Sequence, residues 1–95
     1  MNIPDEIKIG GSKYIVGTAD IVDEDNCNID GKILYSELVI RLKKNLNPEY
    51  QKEVFLHELI HGIFEMIGFE QDEDKVNRLT KGLFMVINDN PDIFK

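Results

Sequence analysis

The sequence predicts an α+β fold in which a three- to four-stranded, mainly antiparallel sheet is followed by two helices. Apolar residues alternate with polar ones in the first half of the chain, and they recur at helical spacing in the second half. The change falls at Asn47-Pro48, and no internal repeat or linker divides the chain. Because 95 residues can bury only one modest core, residues 1–95 are expected to form a single domain.

The chain opens with a predicted β-hairpin. Residues 6–9 and 13–16 flank the Gly10-Gly11 pair, and glycine adopts the positive φ angles that a tight hairpin turn requires. The second strand of this hairpin can extend through Ala19 as far as Val22.

An acidic surface loop is predicted over residues 23–31, which end in the turn signal Asp-Gly. A calcium loop is disfavoured because Ser36 stands where a terminal acidic ligand is needed. Because Cys27 is the only cysteine, an internal disulfide and a cysteine-rich zinc framework are excluded. Its thiol is expected to be buried as a small hydrophobic group.

Two further strands are predicted at residues 33–35 and 37–43. In the second of them, Leu38, Ile40 and Leu42 are expected to face the core together. This strand is also expected to form an exposed edge of the sheet, where an extended peptide can be held by backbone hydrogen bonds.

The first helix has clear signals at both ends. Asn47 is the expected N-cap, Pro48 suits the first helical position, and Gly68 is placed to end the helix after Ile67 in the left-handed conformation. Apolar residues cover nearly every side of this segment, which predicts a central, largely buried helix.

A second helix is predicted from about Asp72 to Ile87, with Asn88-Asp89-Asn90-Pro91 ending it. Basic residues are expected on its outer side. Its predicted apolar face consists of Val76, Leu79, Leu83, Phe84 and Ile87.

The chemistry is concentrated in His57-Glu58-Leu59-Ile60-His61, which contains the only two histidines of the chain. Side chains four residues apart lie on one face of a helix, so His57 and His61 can bind one zinc ion. Glu58 is rotated away from them, and it is better placed to act as general base on a zinc-bound water than as a ligand.

The third protein ligand is expected to be a carboxylate. A third histidine six residues after His61 is excluded because Ile67 stands there, and no other histidine exists. Glu73 is the preferred candidate because it shares the inward face of the second helix with Val76. Asp72 and Asp74 remain alternatives.

Three tyrosines are candidates to stabilise a developing oxyanion through their hydroxyl groups. These are Tyr14, Tyr35 and Tyr50, and the sequence does not select among them.

The segments His57-Glu58-Leu59-Ile60-His61-Gly62 and 73–79 together resemble the zincin metallopeptidases, within them the small ImmA/IrrE-like and phage-encoded minimal types. The resemblance implies a minimal zincin-like fold and a zinc metalloendopeptidase that hydrolyses peptide bonds of a protein substrate. It also implies that Glu73, which leads the second segment, binds zinc. The alternative function is a catalytically inactive, zinc-stabilised interaction module.

The net charge of −7 and the pI near 4.7 describe an acidic surface, which repels phosphate backbones and anionic lipids. Nucleic acid and membranes are therefore not expected as partners. The N-terminal segment has neither a basic start nor an apolar run, and no stretch approaches the length of a membrane span, so a cytoplasmic location is expected.

Overall fold

The computed structural model describes residues 1–93, and it has a sheet followed by two helices. The predicted α+β class is thus confirmed. In chain order the elements are β1 (Glu6–Ile9), β2 (Ser12–Ala19), β3 (Gly31–Leu34), β4 (Val39–Lys43), α1 (Pro48–Ile67) and α2 (Glu73–Asp89).

The four strands form one mixed sheet in the order β1-β2-β4-β3. The β1–β2 and β3–β4 pairs are antiparallel, and the β2–β4 pair is parallel, so the sheet is mostly antiparallel as predicted. The prediction that the strand within residues 37–43 forms the edge is wrong, because β4 lies between β2 and β3. The edge strand on that side is β3.

Two predicted strand boundaries are also wrong. The fourth strand begins at Val39 because Leu38 has a φ of 57°, a left-handed conformation that belongs to the turn between β3 and β4. Consequently only Ile40 and Leu42 of the predicted inward set lie in the strand, and both are fully buried. The strand β2 ends at Ala19, whose carbonyl accepts a hydrogen bond from the amide of Lys44 just after β4.

The helix α1 lies between the sheet and α2. One core cluster joins α1 to the sheet through Phe55, Ile40 and Leu42, and a second joins α1 to α2 through Ile60 and Val76. Among the elements of residues 1–93, α2 contacts only α1. The three layers are therefore sheet, α1 and α2.

The predicted ends of α1 are confirmed. The side chain of Asn47 accepts hydrogen bonds from the amides of Glu49 and Tyr50, and Pro48 is the first helical residue. Gly68 ends the helix with a φ of 77°. These caps hold both histidines on one continuous helix.

Gly62 allows α1 to approach the sheet closely. A Cβ atom at this position would lie only 2.8 Å from the Cδ1 atom of Ile9 and 3.0 Å from that of Ile33. A larger residue would force the side chains of Ile9 and Ile33 to move.

Two burial predictions are wrong. Cys27 is exposed, because it lies in the surface loop between β2 and β3. Leu79 is 48 % exposed, and Thr80 is buried on the inner side of α2 instead. Thr80 tolerates burial because its hydroxyl donates a hydrogen bond of 2.7 Å to the carbonyl of Val76.

Within residues 1–93, no helix is long and apolar enough to cross a membrane.

Candidate metal centre

The two histidines of α1 present their ring nitrogens to one point. The Nε2 atoms of His57 and His61 lie 3.2 Å apart, as expected for residues one helical turn apart. Both side chains are mostly buried. Because α1 is packed on both sides, the separation of these two nitrogens is set by a rigid element.

Glu73 completes a group of three possible ligands. Its Oε1 atom lies 2.7 Å from Nε2 of His57, and its Oε2 atom lies 3.0 Å from Nε2 of His61. The chain folds back after Gly68, so that the first residue of α2 faces the middle of α1. Because the chain folds back here, the carboxylate of Glu73 lies beside the two histidines although Glu73 is distant from them along the sequence.

The two alternative carboxylates are engaged elsewhere. Asp72 is the N-cap of α2, and its side chain accepts hydrogen bonds from the amides of Asp74 and Lys75. Asp74 forms an ion pair of 3.0 Å with Arg78 one turn further along α2. Of the three acidic candidates, Glu73 is therefore the one that faces the histidines.

The three side chains fit a zinc ion. Ligand atoms about 2.0–2.1 Å from a tetrahedral zinc are separated from each other by about 3.3 Å. The separations between the two Nε2 atoms and from them to the carboxylate are 2.7–3.2 Å. Because these separations are slightly shorter than about 3.3 Å, a small outward adjustment of the side chains would accommodate the metal. The Glu73 side chain is 66 % exposed, so the candidate centre is open to solvent on this side.

Glu58 lies beside the three possible ligands and is not one of them. Its Oε2 atom is 4.0 Å from Nε2 of His57, and the residue is 8 % exposed. Burial raises the pKa of Glu58 to about 7, and the nearby Glu73 acts in the same direction. The neighbouring His61 and, to a smaller extent, the backbone amide of Ile33 act in the opposite direction and limit the rise.

His57 is held in the form that binds metals. Burial lowers its pKa, and this effect outweighs the facing carboxylate of Glu73, which acts in the opposite direction. The neutral imidazole is the form that offers a nitrogen lone pair to a metal.

The ring of His61 has a second polar neighbour, Gln71, which the sequence did not single out. The Nδ1 atom of His61 lies 2.7 Å from Oε1 of Gln71. The Nε2 atom of Gln71 donates a hydrogen bond of 2.9 Å to the backbone carbonyl of His61. Gln71 is the one uncharged residue in the acidic run at residues 70–74, but nothing in the sequence indicates that its side chain faces His61.

The candidate centre opens into a groove of about 580 Å³, which is within the usual size range of ligand sites. The groove lies between the start of β3, the side of α1 that carries His57 and His61, and the first turns of α2. Its lining includes Asp30, Gly31, Lys32, Glu53, Asn77 and Lys81 in addition to the residues of the centre.

The three tyrosines are in different surroundings. Tyr14 is buried in the core, and the hydroxyl of Tyr35 donates to the backbone carbonyl of His61 outside the groove. Tyr50 lines the groove, where its hydroxyl donates a hydrogen bond of 2.6 Å to Asp30. This bond raises the pKa of Tyr50 to about 12, with burial adding to the effect.

No protein-family model, curated protein or solved structure matches the chain. The resemblance to zincins is thus a prediction that depends on the residues of the motif and their geometry.

Proposed function

We propose that the protein is a zinc-dependent metalloendopeptidase of the zincin type. The observation that carries this proposal is the arrangement of four side chains. The ligand atoms of His57, His61 and Glu73 face one point, and the buried Glu58 carboxylate lies 4.0 Å from the nearest of them. Two histidines and one carboxylate, with a separate glutamate, form the set that zinc-assisted hydrolysis of a peptide bond requires.

The two parts of this set have separate roles. A zinc ion held by His57, His61 and Glu73 would polarise a carbonyl group and lower the pKa of water to about 7. Glu58 would accept a proton from the attacking water and then pass it to the nitrogen of the leaving amine. Burial raises the pKa of Glu58 to about 7 in the metal-free protein, and a zinc ion beside it would lower this pKa again, so the carboxylate would be available as a base near neutral pH.

The substrate is proposed to be a protein or peptide in an extended conformation, held against the edge strand β3. The first residues of β3 line the groove, and the carbonyl of Asp30 accepts a hydrogen bond from the amide of Lys43, the last residue of β4. Along a strand of an antiparallel pair, the backbone N–H and C=O groups of successive residues point alternately toward and away from the neighbouring strand. Because the carbonyl of Asp30 points toward β4, the backbone groups of Gly31 point away from it. They are available to a substrate strand, as in other cases of β-strand addition.

The test is digestion of an unbiased peptide library by the zinc-loaded protein and by the variant Glu58→Gln. We expect the wild-type protein to cleave peptides and the variant to lose at least about 100-fold in rate, since a positioned general base contributes about 10²–10⁴-fold. The variant should keep one zinc per chain because Glu58 is not a proposed ligand.

The matched control is Glu49→Gln, which changes an exposed glutamate in the first turn of α1 and should cleave at the wild-type rate. A Glu58→Gln variant that also cleaves at the wild-type rate would refute the proposed role of this residue.

A second function is favoured by the attachment of α2. Within residues 1–93 this helix contacts only α1, and Glu73 bridges from its first turn to both histidines. A zinc ion there would tie the helices together without any catalysis, as in an inactive interaction module. Absence of cleavage across the library, together with a large loss of thermal stability on chelation, would favour this alternative.

A further inference from the structure

We propose that Gln71 is a positioning residue of the metal centre, which holds the Nδ1–H group of His61 so that the Nε2 lone pair faces the metal. This inference depends on the proposed metal site and extends it to a residue outside the motif. It concerns the segment between α1 and α2, which carries none of the three proposed ligands.

The orientation of the Gln71 amide follows from its neighbours. Its Nε2 atom lies 2.9 Å from the backbone carbonyl of His61, and a carbonyl oxygen only accepts hydrogen bonds. The same Nε2 atom donates to the hydroxyl oxygen of Tyr35 at 3.3 Å, while the Tyr35 hydroxyl donates to the His61 carbonyl. The amide nitrogen is therefore at this end, and Oε1 must be at the other.

This orientation decides which nitrogen of His61 carries hydrogen. Oε1 of Gln71 is only an acceptor, and it lies 2.7 Å from Nδ1 of His61, so Nδ1 must donate. A metal can then be bound only by Nε2, the atom that faces His57 and Glu73. Outer partners of this kind fix the tautomer and the ring orientation of metal-binding histidines.

Gln71 also links the parts of the site mechanically. It contacts both the ring and the backbone of His61, and it precedes Glu73 by two residues. Through Tyr35 it reaches the turn between β3 and β4. One side chain thus connects α1, the segment that leads into α2 and the edge of the sheet.

The test measures the zinc affinity of the whole chain by competition with a chromophoric chelator. Gln71→Met keeps the length of the side chain and removes its hydrogen bonds to the ring and carbonyl of His61 and to the Tyr35 hydroxyl. We expect its zinc dissociation constant to rise about 10- to 100-fold, which is the usual effect of losing an outer partner of a ligand. The matched control is Gln51→Met, which removes a hydrogen bond of 3.0 Å to the carbonyl of Lys43 and should bind zinc like the wild type.

A rescue variant separates positioning from a general structural role. Gln71→Glu restores the acceptor for Nδ1–H but loses the donor to the His61 carbonyl, to which the Tyr35 hydroxyl still donates. It is combined with Glu65→Gln because Glu65 lies 3.5 Å from the amide nitrogen of Gln71. The double variant should bind zinc more tightly than Gln71→Met, while Glu65→Gln alone should match the wild type.

A spectroscopic readout completes the experiment. In the zinc-loaded, ¹⁵N-labelled wild type, the Nδ1–H proton of His61 should give a slowly exchanging NMR signal, and this signal should be lost to water exchange in Gln71→Met. Equal zinc affinity of the wild type and Gln71→Met would overturn the inference and leave the proposed metal site intact. A wild-type chain that binds no zinc would overturn both.

Discussion

Gly31, the first residue of β3, sets how closely the edge strand approaches α1 beside the candidate centre. A Cβ atom at this position would lie 2.5 Å from Cγ1 of Val54 and 3.3 Å from Cγ of Glu58. Val54 is buried and its branched side chain has little freedom to move away. The absence of a side chain at Gly31 therefore allows the strand, Glu58 and the groove to be adjacent.

Gly31→Ala is expected to lower the free energy of unfolding by about 1–3 kcal/mol, the usual cost of adding a methyl group to a close-packed contact. Urea denaturation of the metal-free protein measures this change. Gly17→Ala in β2 is the control, because a Cβ atom there would meet nothing within 4 Å, and it should cost nothing or stabilise slightly. Equal stability of the two variants would contradict the close approach of β3 to α1.

Individual site residues differ in how far the sequence predicts them. The helical spacing of His57 and His61 places their nitrogens together whatever the rest of the fold does. The position of Glu73 also depends on a turn of the chain after Gly68, which periodicity alone does not describe. The contact of Gln71 with His61 depends on that turn and on one side-chain rotamer, so the sequence contains no signal for it.

At the scale of elements, α2 is the part of the molecule that depends most on the proposed metal. Among the elements of residues 1–93 it packs only on α1, through a small cluster that includes Leu56, Ile60 and Val76. Its first three residues, Glu73, Asp74 and Lys75, are exposed to solvent, and Val76 is the first residue that is buried. A ligand bond from Glu73 would fasten this end of the helix to α1.

Removal of zinc by a chelator is expected to lower the melting temperature by about 10–20 °C. At a zinc concentration of about 100 times its dissociation constant, binding adds about 2.7 kcal/mol of stability. In a domain of this size each kcal/mol corresponds to about 4–8 °C. Differential scanning calorimetry with and without chelator measures the shift.

The control for this prediction is His61→Ala, whose melting temperature should not respond to zinc or to chelator. Hydrogen exchange should also become faster in the first turns of α2 when zinc is removed. A wild-type melting temperature that is unchanged by chelation would contradict a ligand bond between the helices.

The elements themselves are predictable where local chemistry defines them. The helix α1 begins and ends as expected because Asn47, Pro48 and Gly68 each have a specific conformational role. The start of β4 was not predictable in the same way. Leu38 adopts a positive φ that leucine rarely takes, so the turn is imposed by the surrounding sheet and not by its own sequence.

At the scale of the whole molecule, the order of the strands is the feature that the sequence did not reveal. The hairpin of β1 and β2 is local, but β2 also pairs in parallel with β4, more than twenty residues later. Such pairing depends on non-local contacts, and alternation of side chains within a strand does not specify its neighbour. For this reason the sequence pattern predicts that β4 is an edge strand, whereas in the structure β3 is the edge strand and borders the groove. The cytoplasmic location stays a prediction.

The binding of one zinc ion by His57, His61 and Glu73 can be tested by zinc K-edge X-ray absorption of the purified, zinc-loaded protein. We expect two imidazole nitrogens and carboxylate or water oxygens at about 2.0–2.1 Å, with no sulfur. Sulfur at about 2.3 Å would instead indicate the exposed thiol of Cys27. That result, or a protein that retains no zinc, would show that these three residues do not form a zinc site.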